Sequence, residues 1–304
     1  MSKSKLKETR QYLIVQRLKQ VKRATRKEIK DYLEREFEKL GYELSMEDRT
    51  FERDVNEIEE FHGYSIKCDK STNSYYIEYE DENRTESSER YFEALNVYNA
   101  LNINESNKEY LYLDKRQAQG TEHLLGLLHA IKKCLQISVV YQSFKYNEPV
   151  EQTLHPLALK EFKYRWYLFA YDPSDKFVKA YGLDRIVDFD ITKKKFPKNT
   201  EFDVKEWLKH AFGIIVPSPT TKPQKIVLSF KPFDGKYIKS VKWHESQQIL
   251  VDDDKELRIS LYVYPTHDFK MELLSQGERV KVIEPKSLAK EMKEIYLKAA
   301  EQYK

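Results

Sequence analysis

The sequence predicts an α+β protein with several domains along the chain. Its 304 residues suffice for two or three domains, and 40% of them are hydrophobic, which is enough for buried cores. Apolar residues recur at helical spacing in the N-terminal part, and from Ile137 onward they follow the alternation of β-strands. Beyond Pro217, strand and helix patterns succeed one another. We therefore expect a helical region, a sheet domain and a mixed domain, in that order.

The formal net charge of +3 conceals opposite charges in neighbouring segments. Residues 1–30 contain eleven Lys or Arg and two Asp or Glu, whereas residues 31–60 contain four Lys or Arg and twelve Asp or Glu. A basic segment of this kind attracts phosphate groups. A solvated helix face with a basic tail explains it equally well, so charge alone does not decide between a nucleic-acid site and an ordinary surface.

Three helical patterns come first along the chain. One covers residues 6–20, and the second begins at Thr25, whose spacing to Glu28 is that of a capping box. The third follows a similar pattern at Ser45 and Asp48, and its buried face holds Phe51, Val55 and Ile58.

Two short strand patterns, residues 64–69 and 75–79, follow the third helix and are joined by a turn. Helix, helix, helix and hairpin is the order of a winged helix-turn-helix, in which the hairpin forms the wing. We expect this DNA-binding domain to span residues 1–80.

The third helix is the expected recognition element. Its exposed face carries Arg49, Arg53 and Asn56, and cationic and amide side chains near the start of such a helix can reach base edges and phosphates. With the start of the second helix included, the expected DNA-binding residues are Arg26, Lys27, Arg49, Thr50 and Arg53. The alternative is a surface helix whose arginines pair with nearby acids.

Residues 45–54 contain the run Arg49-Thr50-Phe51-Glu52-Arg53-Asp54. This run resembles the recognition-helix segment of DeoR-type regulators. Acidic residues near the end of the helix repel phosphate, so we expect only its N-terminal half to approach DNA; they are Glu57, Glu59 and Glu60.

A helical linker is expected over residues 81–136. Residues 81–88 are polar and charged and are typical of a linker, whereas 91–101 and 121–135 have apolar residues at helical spacing. The apolar faces of these two helices favour packing between domains or across a dimer over contact with a cofactor.

The next region, residues 137–200, contains a series of short strand patterns with brief loops between them, at 137–144, 153–160, 165–171, 177–183 and 186–192. Several short strands in a row indicate a small β-barrel or a sandwich.

Four segments of this region resemble, in their order and spacing, the WYL domain of bacterial transcription regulators: Val139-Val140-Tyr141, His155-Pro156-Leu157-Ala158-Leu159-Lys160-Glu161, Arg165-Trp166-Tyr167-Leu168 and Leu183-Asp184-Arg185-Ile186. The resemblance implies an Sm-like or SH3-like barrel. It also implies a pocket for single-stranded DNA, oligonucleotides or nucleotides, lined by Tyr141, His155, Arg165, Tyr167 and Arg185. Many members of the family have an arginine where this chain has Gly182, which puts the size or charge of the ligand in doubt.

The chemistry of these residues agrees with a nucleotide-like ligand. Guanidinium groups bind phosphate bidentately, aromatic rings stack on bases, and the His155 imidazole can donate to a phosphate. The alternative is that the apolar residues around them are core and that Arg185 pairs with Asp184 or Asp188. In either case we assign Trp166 and Leu168 to the core.

The C-terminal region, residues 201–304, begins with a short helix and a proline-rich break. It continues in the order strand, helix, strand, strand, helix, strand and helix, which predicts a ferredoxin-like α+β domain. Residues 243–247 and 277–280 resemble the C-terminal extension often found after WYL domains. We expect this domain to form a homodimer.

The chain has no apolar run of membrane-spanning length and no secretory signal pattern, and its two cysteines, Cys68 and Cys134, fit a reducing cytoplasm. It also lacks a glycine-rich phosphate loop and the common hydrolase and metal motifs. We therefore expect a cytoplasmic protein that is not an enzyme and that uses no cofactor or metal.

These observations predict a transcription regulator, with repression expected, that binds a palindromic double-stranded DNA operator as a homodimer and responds to a nucleotide or short single-stranded nucleic acid. The WYL resemblance implies control of phage-defence or DNA-damage genes. Two alternatives stay open: an enzyme that processes nucleic acid, and a ligand-sensing accessory subunit of such an enzyme.

Overall fold

The computed structural model describes residues 3–44, 46–102, 110, 112, 120–197, 203–218 and 220–303. The chain divides into two compact units, residues 1–114 and 115–304, and it mixes helices with sheets, as predicted. In the described part of the chain, no helix combines the length and the apolar character that crossing a membrane requires.

The first unit consists of four helices and a small sheet: α1 Lys3–Val21, β1 Ala24–Thr25, α2 Arg26–Lys39, α3 Asp48–Glu57, β2 Tyr64–Asp69, β3 Ser74–Glu80 and α4 Glu82–Asn102. The sheet is antiparallel and has the order β1-β3-β2. Helices and hairpin share one core, whose fully buried members include Ile14, Ile29, Leu33, Phe37, Phe51, Ile58 and Tyr64.

The predicted capping box at the start of α2 is confirmed. The Thr25 side chain accepts a hydrogen bond from the Glu28 backbone N–H, and the Glu28 carboxylate accepts one from the Thr25 N–H at 2.7 Å. Ser45 lies outside the described residues, and α3 has Glu47 as its N-cap, without a side-chain hydrogen bond. After α3 the chain makes a π-helical turn that ends at Gly63, where φ is 76°.

A buried ion pair joins α1 to α3. The Asp54 side chain is fully buried, and Arg10 binds it through two nitrogens, with Nη2 donating to Oδ1 at 2.9 Å and Nε donating to Oδ2. Two charges taken out of water are tolerated only with close pairing. The pair therefore determines which side of α3 faces the core.

Most of the polar residues 81–88 belong to a helix, because α4 already begins at Glu82. Thr85 and Ser88 are buried, the Thr85 hydroxyl donates to the Asp81 carbonyl, and the Ser88 hydroxyl lies 3.2 Å from His62 Nδ1. Since polar residues occupy the buried face of this first part of α4, no apolar periodicity shows the helix in the sequence.

The N-terminal part of the second unit packs one helix, α5 Leu124–Lys133, on a five-stranded sheet. Its strands are β4 Leu135–Tyr141, β5 Val150–Phe162, β6 Arg165–Asp172, β7 Phe177–Gly182 and β8 Ile186–Lys195. All neighbours are antiparallel and their order is β7-β6-β5-β4-β8.

The sheet does not close into the barrel that the sequence and the family resemblance predict. Strand β5 pairs with β4 in its first half and with β6 in its second, with an irregularity between Pro156 and Ala158. After β7, a 3₁₀ turn, Leu183–Arg185, carries the chain to the far side of β4. Strands β7 and β8 therefore form opposite edges, and no ladder between them is found among the described residues.

The rest of the second unit contains α6 Val204–Leu208, β9 Gln224–Phe230, α7 Pro232–Ser240, β10 Gln248–Asp252, β11 Leu257–Val263, α8 His267–Gln276, β12 Val280–Glu284 and α9 Lys286–Glu301. The strands form an antiparallel sheet in the order β10-β11-β9-β12. Helix α7 connects β9 to β10, and α8 connects β11 to β12. The three helices α7, α8 and α9 contribute to one core with the sheet, through Ile238, Phe269, Leu273, Leu288 and Met292.

Replacing Asp54 with alanine is expected to destabilise the first unit by about 3–5 kcal/mol, because Arg10 is then buried without a partner. All three tryptophans, Trp166, Trp207 and Trp243, lie in the second unit. In urea unfolding of the full chain, the helical circular-dichroism signal should therefore shift to lower urea while the tryptophan fluorescence transition stays in place. Asp31→Ala, at an exposed site on α2, is the control. Equal transitions for both variants would contradict a structural role for the pair.

Candidate nucleic-acid interface and ligand cluster

The solvent-facing side of α3 carries two arginines beside the exposed acids Asp48 and Glu52, and both of these acids pair with Arg26. Arg49, Arg53 and Asn56 are exposed and Thr50 is half-buried, whereas Phe51 lies in the core on the opposite side. Neither Arg49 nor Arg53 forms an ion pair with any described residue. Two guanidinium groups on one helix face thus remain available to an external anion.

Of the acids that we expected to repel phosphate, Glu57 is engaged inside the first unit, whereas Glu59 and Glu60 are exposed. Glu57 binds Lys7 at 2.9 Å and Gln11 at 2.6 Å. Burial opposes the ionisation of Glu57, but these hydrogen bonds outweigh it and hold the pKa of its carboxyl below the ordinary value. Glu59 accepts a hydrogen bond from Ser65 at 3.0 Å, while Glu60 is exposed. The negative potential near the end of α3 is correspondingly reduced.

The Arg26 side chain is bound by residues of the first unit. Its Nη2 donates to the Tyr75 hydroxyl at 2.9 Å and to Glu52 at 3.1 Å, and its guanidinium lies 5.4 Å from the centre of the Phe51 ring. It joins the start of α2 to α3 and the hairpin, which favours a positioning role over direct contact with DNA. Lys27, the next residue, is exposed.

Four of the five residues expected to bind ligand come from neighbouring places in the sheet. Tyr141 ends β4, Arg165 and Tyr167 open β6, and Arg185 lies in the turn before β8. Tyr167 is the ladder partner of Gly182, whose N–H donates to the Tyr141 hydroxyl at 3.1 Å. We call the set of Tyr141, Arg165, Tyr167, Asp184 and Arg185 the ligand cluster.

Two aromatic rings flank the Arg185 guanidinium. Its central carbon is 5.3 Å from the centre of the Tyr141 ring and 4.7 Å from that of Phe144, which is 80% exposed. Burial raises the pKa of the Tyr141 hydroxyl, so this group stays neutral and accepts from Gly182. Phe144 was not predicted as a site residue, since its contact with Arg185 depends on how the loop after β4 folds back.

Asp184 also belongs to the site, and the alternative in which it pairs with Arg185 is confirmed. Its Oδ2 lies 3.3 Å from Arg165 Nη1, and its Oδ1 lies 3.9 Å from Arg185 Nε. Oδ1 and Nε are both buried, and neither has a hydrogen-bond partner in the described structure. A buried polar atom without a partner costs about 1–3 kcal/mol. The ion pair of Asp184 with Arg185 is therefore held without a hydrogen bond between Oδ1 and Nε.

Gly182 makes room for this arrangement. A Cβ atom at this position would lie 2.5 Å from Asp184 Oδ1 and 2.8 Å from Arg185 Nη2. Its backbone is ordinary, with φ at −67°, so glycine matters here through the space it leaves for two side-chain ends and not through its conformation. The missing side chain, read in the sequence as a lost phosphate contact, is what allows Asp184 and Arg185 to occupy this space.

His155 lies apart from the ligand cluster. Its Nε2 is 2.8 Å from Gln136 Nε2, and its ring stacks on Phe196 at 4.8 Å. Tyr141 is five residues further along β4 than Gln136, a separation of about 16 Å along a strand. Burial lowers the pKa of the imidazole from its ordinary value of 6.5, so it is neutral at pH 7.

The two core assignments have different outcomes. Leu168 is fully buried, as expected, whereas Trp166 is only partly buried and packs against the rim of the same core. Tyr167, between them, is 9% exposed and therefore has little ring surface to offer a base.

Family models match two segments of the second unit. Residues 122–191 match the WYL domain. Residues 222–300 match the WCX domain. The ligand cluster lies within the WYL segment, and the sheet of β9 to β12 lies within the WCX segment.

Two solved structures show low similarity to the chain. Proteasome accessory factor B/C (PafBC) of Arthrobacter aurescens matches over 57% of this chain at 20% identity, with a TM-score of 0.27, and the match spans only 26% of the PafBC chain. A CRISPR Cas-related protein matches over 88% of this chain and 76% of its own, at 14% identity and a TM-score of 0.38. Among curated proteins, no sequence matches the chain.

The partly buried His155 is expected to make the stability of the second unit depend on pH. Because folding lowers the pKa of His155, protonation favours the unfolded chain. The contribution of His155 to the free energy of unfolding is therefore fully present above pH 6.5 and is lost as the pH drops below that value. Urea unfolding followed by tryptophan fluorescence at pH 8 and pH 5 measures this loss. The loss should be smaller in His155→Gln and unchanged in His129→Gln, at an exposed site. Equal losses in all three proteins would contradict the assignment.

Proposed function

We propose that this protein is a DNA-binding transcription regulator, acting as a repressor, and that a nucleotide or short single-stranded nucleic acid bound at the ligand cluster modulates its binding. The observation that carries the DNA-binding part is the solvent-facing side of α3. There Arg49 and Arg53 are exposed and form no ion pair with a described residue, while Asp54 and Glu57 are engaged with α1. The WYL and WCX matches support the class of regulator or sensor.

The two units have the architecture that such a regulator needs. In the first, the order of α1, α2, α3 and the β2–β3 hairpin supports a winged helix-turn-helix, with α3 entering the major groove. In the second, the strand order β10-β11-β9-β12, with α7 and α8 as connections, supports a ferredoxin-like domain. We assign dimer formation to this domain, and a two-fold dimer reads a palindromic operator.

The ligand cluster suits an anion joined to a flat ring. Arg165 and Arg185 supply positive charge, and the Arg165 side chain is about half exposed. Phe144 is the ring accessible for stacking on a base, because Tyr141 and Tyr167 are buried. Bound ligand changes operator affinity only if it binds one conformation of the protein better than another.

Binding, and not catalysis, is the proposed activity, and phage-defence or DNA-damage genes are the proposed targets. Metal-dependent turnover of oligonucleotides by the wild-type chain, abolished by His155→Ala, would instead favour a nucleic-acid-processing enzyme.

Arg53→Ala is expected to weaken binding to the DNA upstream of the protein's own gene by about tenfold or more, since one base or phosphate contact is worth about 1–3 kcal/mol. Fluorescence anisotropy with labelled duplex measures the change, and circular dichroism should show an unaltered fold. Arg35→Ala removes the same charge from an exposed site on α2 and should have a much smaller effect. Equal losses in the two variants would show only general electrostatic attraction and would reject α3 as the recognition helix.

The double variant Arg165→Ala, Arg185→Ala is expected to bind the operator normally and to lose the response to ligand. The reason is that both guanidinium groups of the ligand cluster are removed while the first unit is untouched. Mobility shifts with and without short single-stranded DNA test this. Lys193→Ala with Lys194→Ala, two exposed positions on β8, is the control of equal charge. A double variant that still responds would discard the ligand cluster as the sensing site.

A further inference from the structure

The second unit contains a cavity that the proposed function does not use. Its volume is about 480 Å³, within the range of roughly 300–1,000 Å³ that is usual for small-molecule sites. Strand β5 contributes Leu159 and Lys160, Phe212 follows α6, and the loop after α7 contributes Lys242 and His244. We call it the Lys160 cavity.

Lys160 is held in place at the wall of this cavity. Its ammonium donates to the carbonyls of Ala211 at 3.0 Å and Gly213 at 2.9 Å, which leaves one of its three N–H groups for another acceptor. Burial lowers the pKa of Lys160, and the nearby Asp268 only partly offsets this. The Asp268 carboxylate itself accepts hydrogen bonds from two backbone N–H groups, those of Ile214 and Ile215, each at 2.8 Å. An anion in the cavity would thus meet an incompletely compensated cation.

His244 presents a fixed donor beside Lys160. Its Nδ1 accepts a hydrogen bond from the Ser246 backbone N–H at 3.1 Å, so the proton of the neutral ring is on Nε2. The loop that carries it is rigidly held, because the Gln247 side chain accepts from the Trp243 N–H at 2.9 Å and donates to the Ile238 carbonyl at 3.3 Å. The Nε2–H donor needs no rearrangement before it binds a ligand.

The rest of the lining combines charge with apolar surface. Lys242 and Glu245 are exposed at the rim, and Leu159, Leu208 and Phe212 form apolar walls. Three side chains of the lining, Lys160, Lys242 and His244, can donate hydrogen bonds, whereas Glu245 is the one carboxylate. A ligand that fits this lining has an anionic group for Lys160 and His244 and an apolar or aromatic body for the walls.

We propose that the Lys160 cavity binds a small organic anion with an aromatic or apolar body, as a site separate from the ligand cluster. Lys160 and Tyr167 are ladder partners on β5 and β6, so the cavity lies directly beside the ligand cluster, and variants of each site's own residues distinguish the two. Binding in this cavity does not depend on the proposed regulatory function. Organic carboxylates and phosphate monoesters both carry the anionic group that this site requires.

The test uses the full-length chain and phenyl phosphate, which carries a dianionic group on an aromatic ring. In the double variant Arg165→Ala, Arg185→Ala, which lacks the guanidinium groups of the ligand cluster, calorimetric titration is expected to show saturable binding at one site. Phenol, the uncharged counterpart, should bind at least tenfold more weakly. His244→Phe keeps a ring of similar size and removes the donor, so affinity should fall about tenfold, as for the loss of one hydrogen bond to a charged group.

A second variant keeps the test decisive if His244→Phe fails to fold. Glu245→Gln removes the rim carboxylate at an exposed position, and the affinity for phenyl phosphate should rise by about threefold, the scale of one exposed charge interaction. Glu278→Gln, an exposed acid outside the cavity lining, should leave the affinity unchanged.

Three results would overturn the proposal. One is the absence of saturable binding by phenyl phosphate, and another is equal binding of phenol. The third is loss of binding in the double variant Arg165→Ala, Arg185→Ala with no effect of Glu245→Gln, which would place the probe in the ligand cluster. Retained binding in that double variant supports a separate site even if the operator experiments fail.

Discussion

The carboxylate of Asp54 is fully buried in the first unit and is bound by two nitrogens of Arg10 on α1. Because an unpaired charge in this position would be strongly destabilising, α3 has only one acceptable rotation about its own axis. That rotation turns Glu57 toward α1 as well and leaves Arg49 and Arg53 in solvent. The exposure of Arg49 and Arg53 therefore depends on an acid–base pair whose carboxylate is fully buried.

Features of the fold that depend on close neighbours in sequence can be predicted, and those that depend on distant partners cannot. The capping box of α2 follows from Thr25 and Glu28, which are three residues apart. The start of α4 was missed because the buried position at Thr85 is polar, and polarity near a domain boundary suggests a linker. The prediction of a closed barrel is wrong for a similar reason. The number and spacing of the strands can be predicted from the sequence, whereas the pairing of the edge strands cannot.

The same distinction applies to the site residues. The exposed stripe of α3 follows from helical periodicity, but the engagement of Arg26 by Tyr75 joins residues 49 positions apart. His155 lies on β5 with the rest of the 155–161 segment. The register of β5 with β4 nevertheless places His155 near Gln136 and away from Tyr141. In the sequence, Gly182 showed only that a side chain was missing. The three-dimensional arrangement shows the space that its absence leaves.

Asp184 acts as a built-in counter-ion of the ligand cluster. With Arg165 and Arg185 it brings the formal charge of the three side chains to +1, since two cations face one anion. An entering anion must compete with a carboxylate already 3.3 Å from Arg165, so a small inorganic ion gains little from replacing it. A ligand that also covers Phe144 gains a contact that the internal carboxylate cannot make. Selectivity is a difference between affinities. In this cluster every ligand must bind the arginines better than the Asp184 carboxylate does, and this requirement discriminates between ligands.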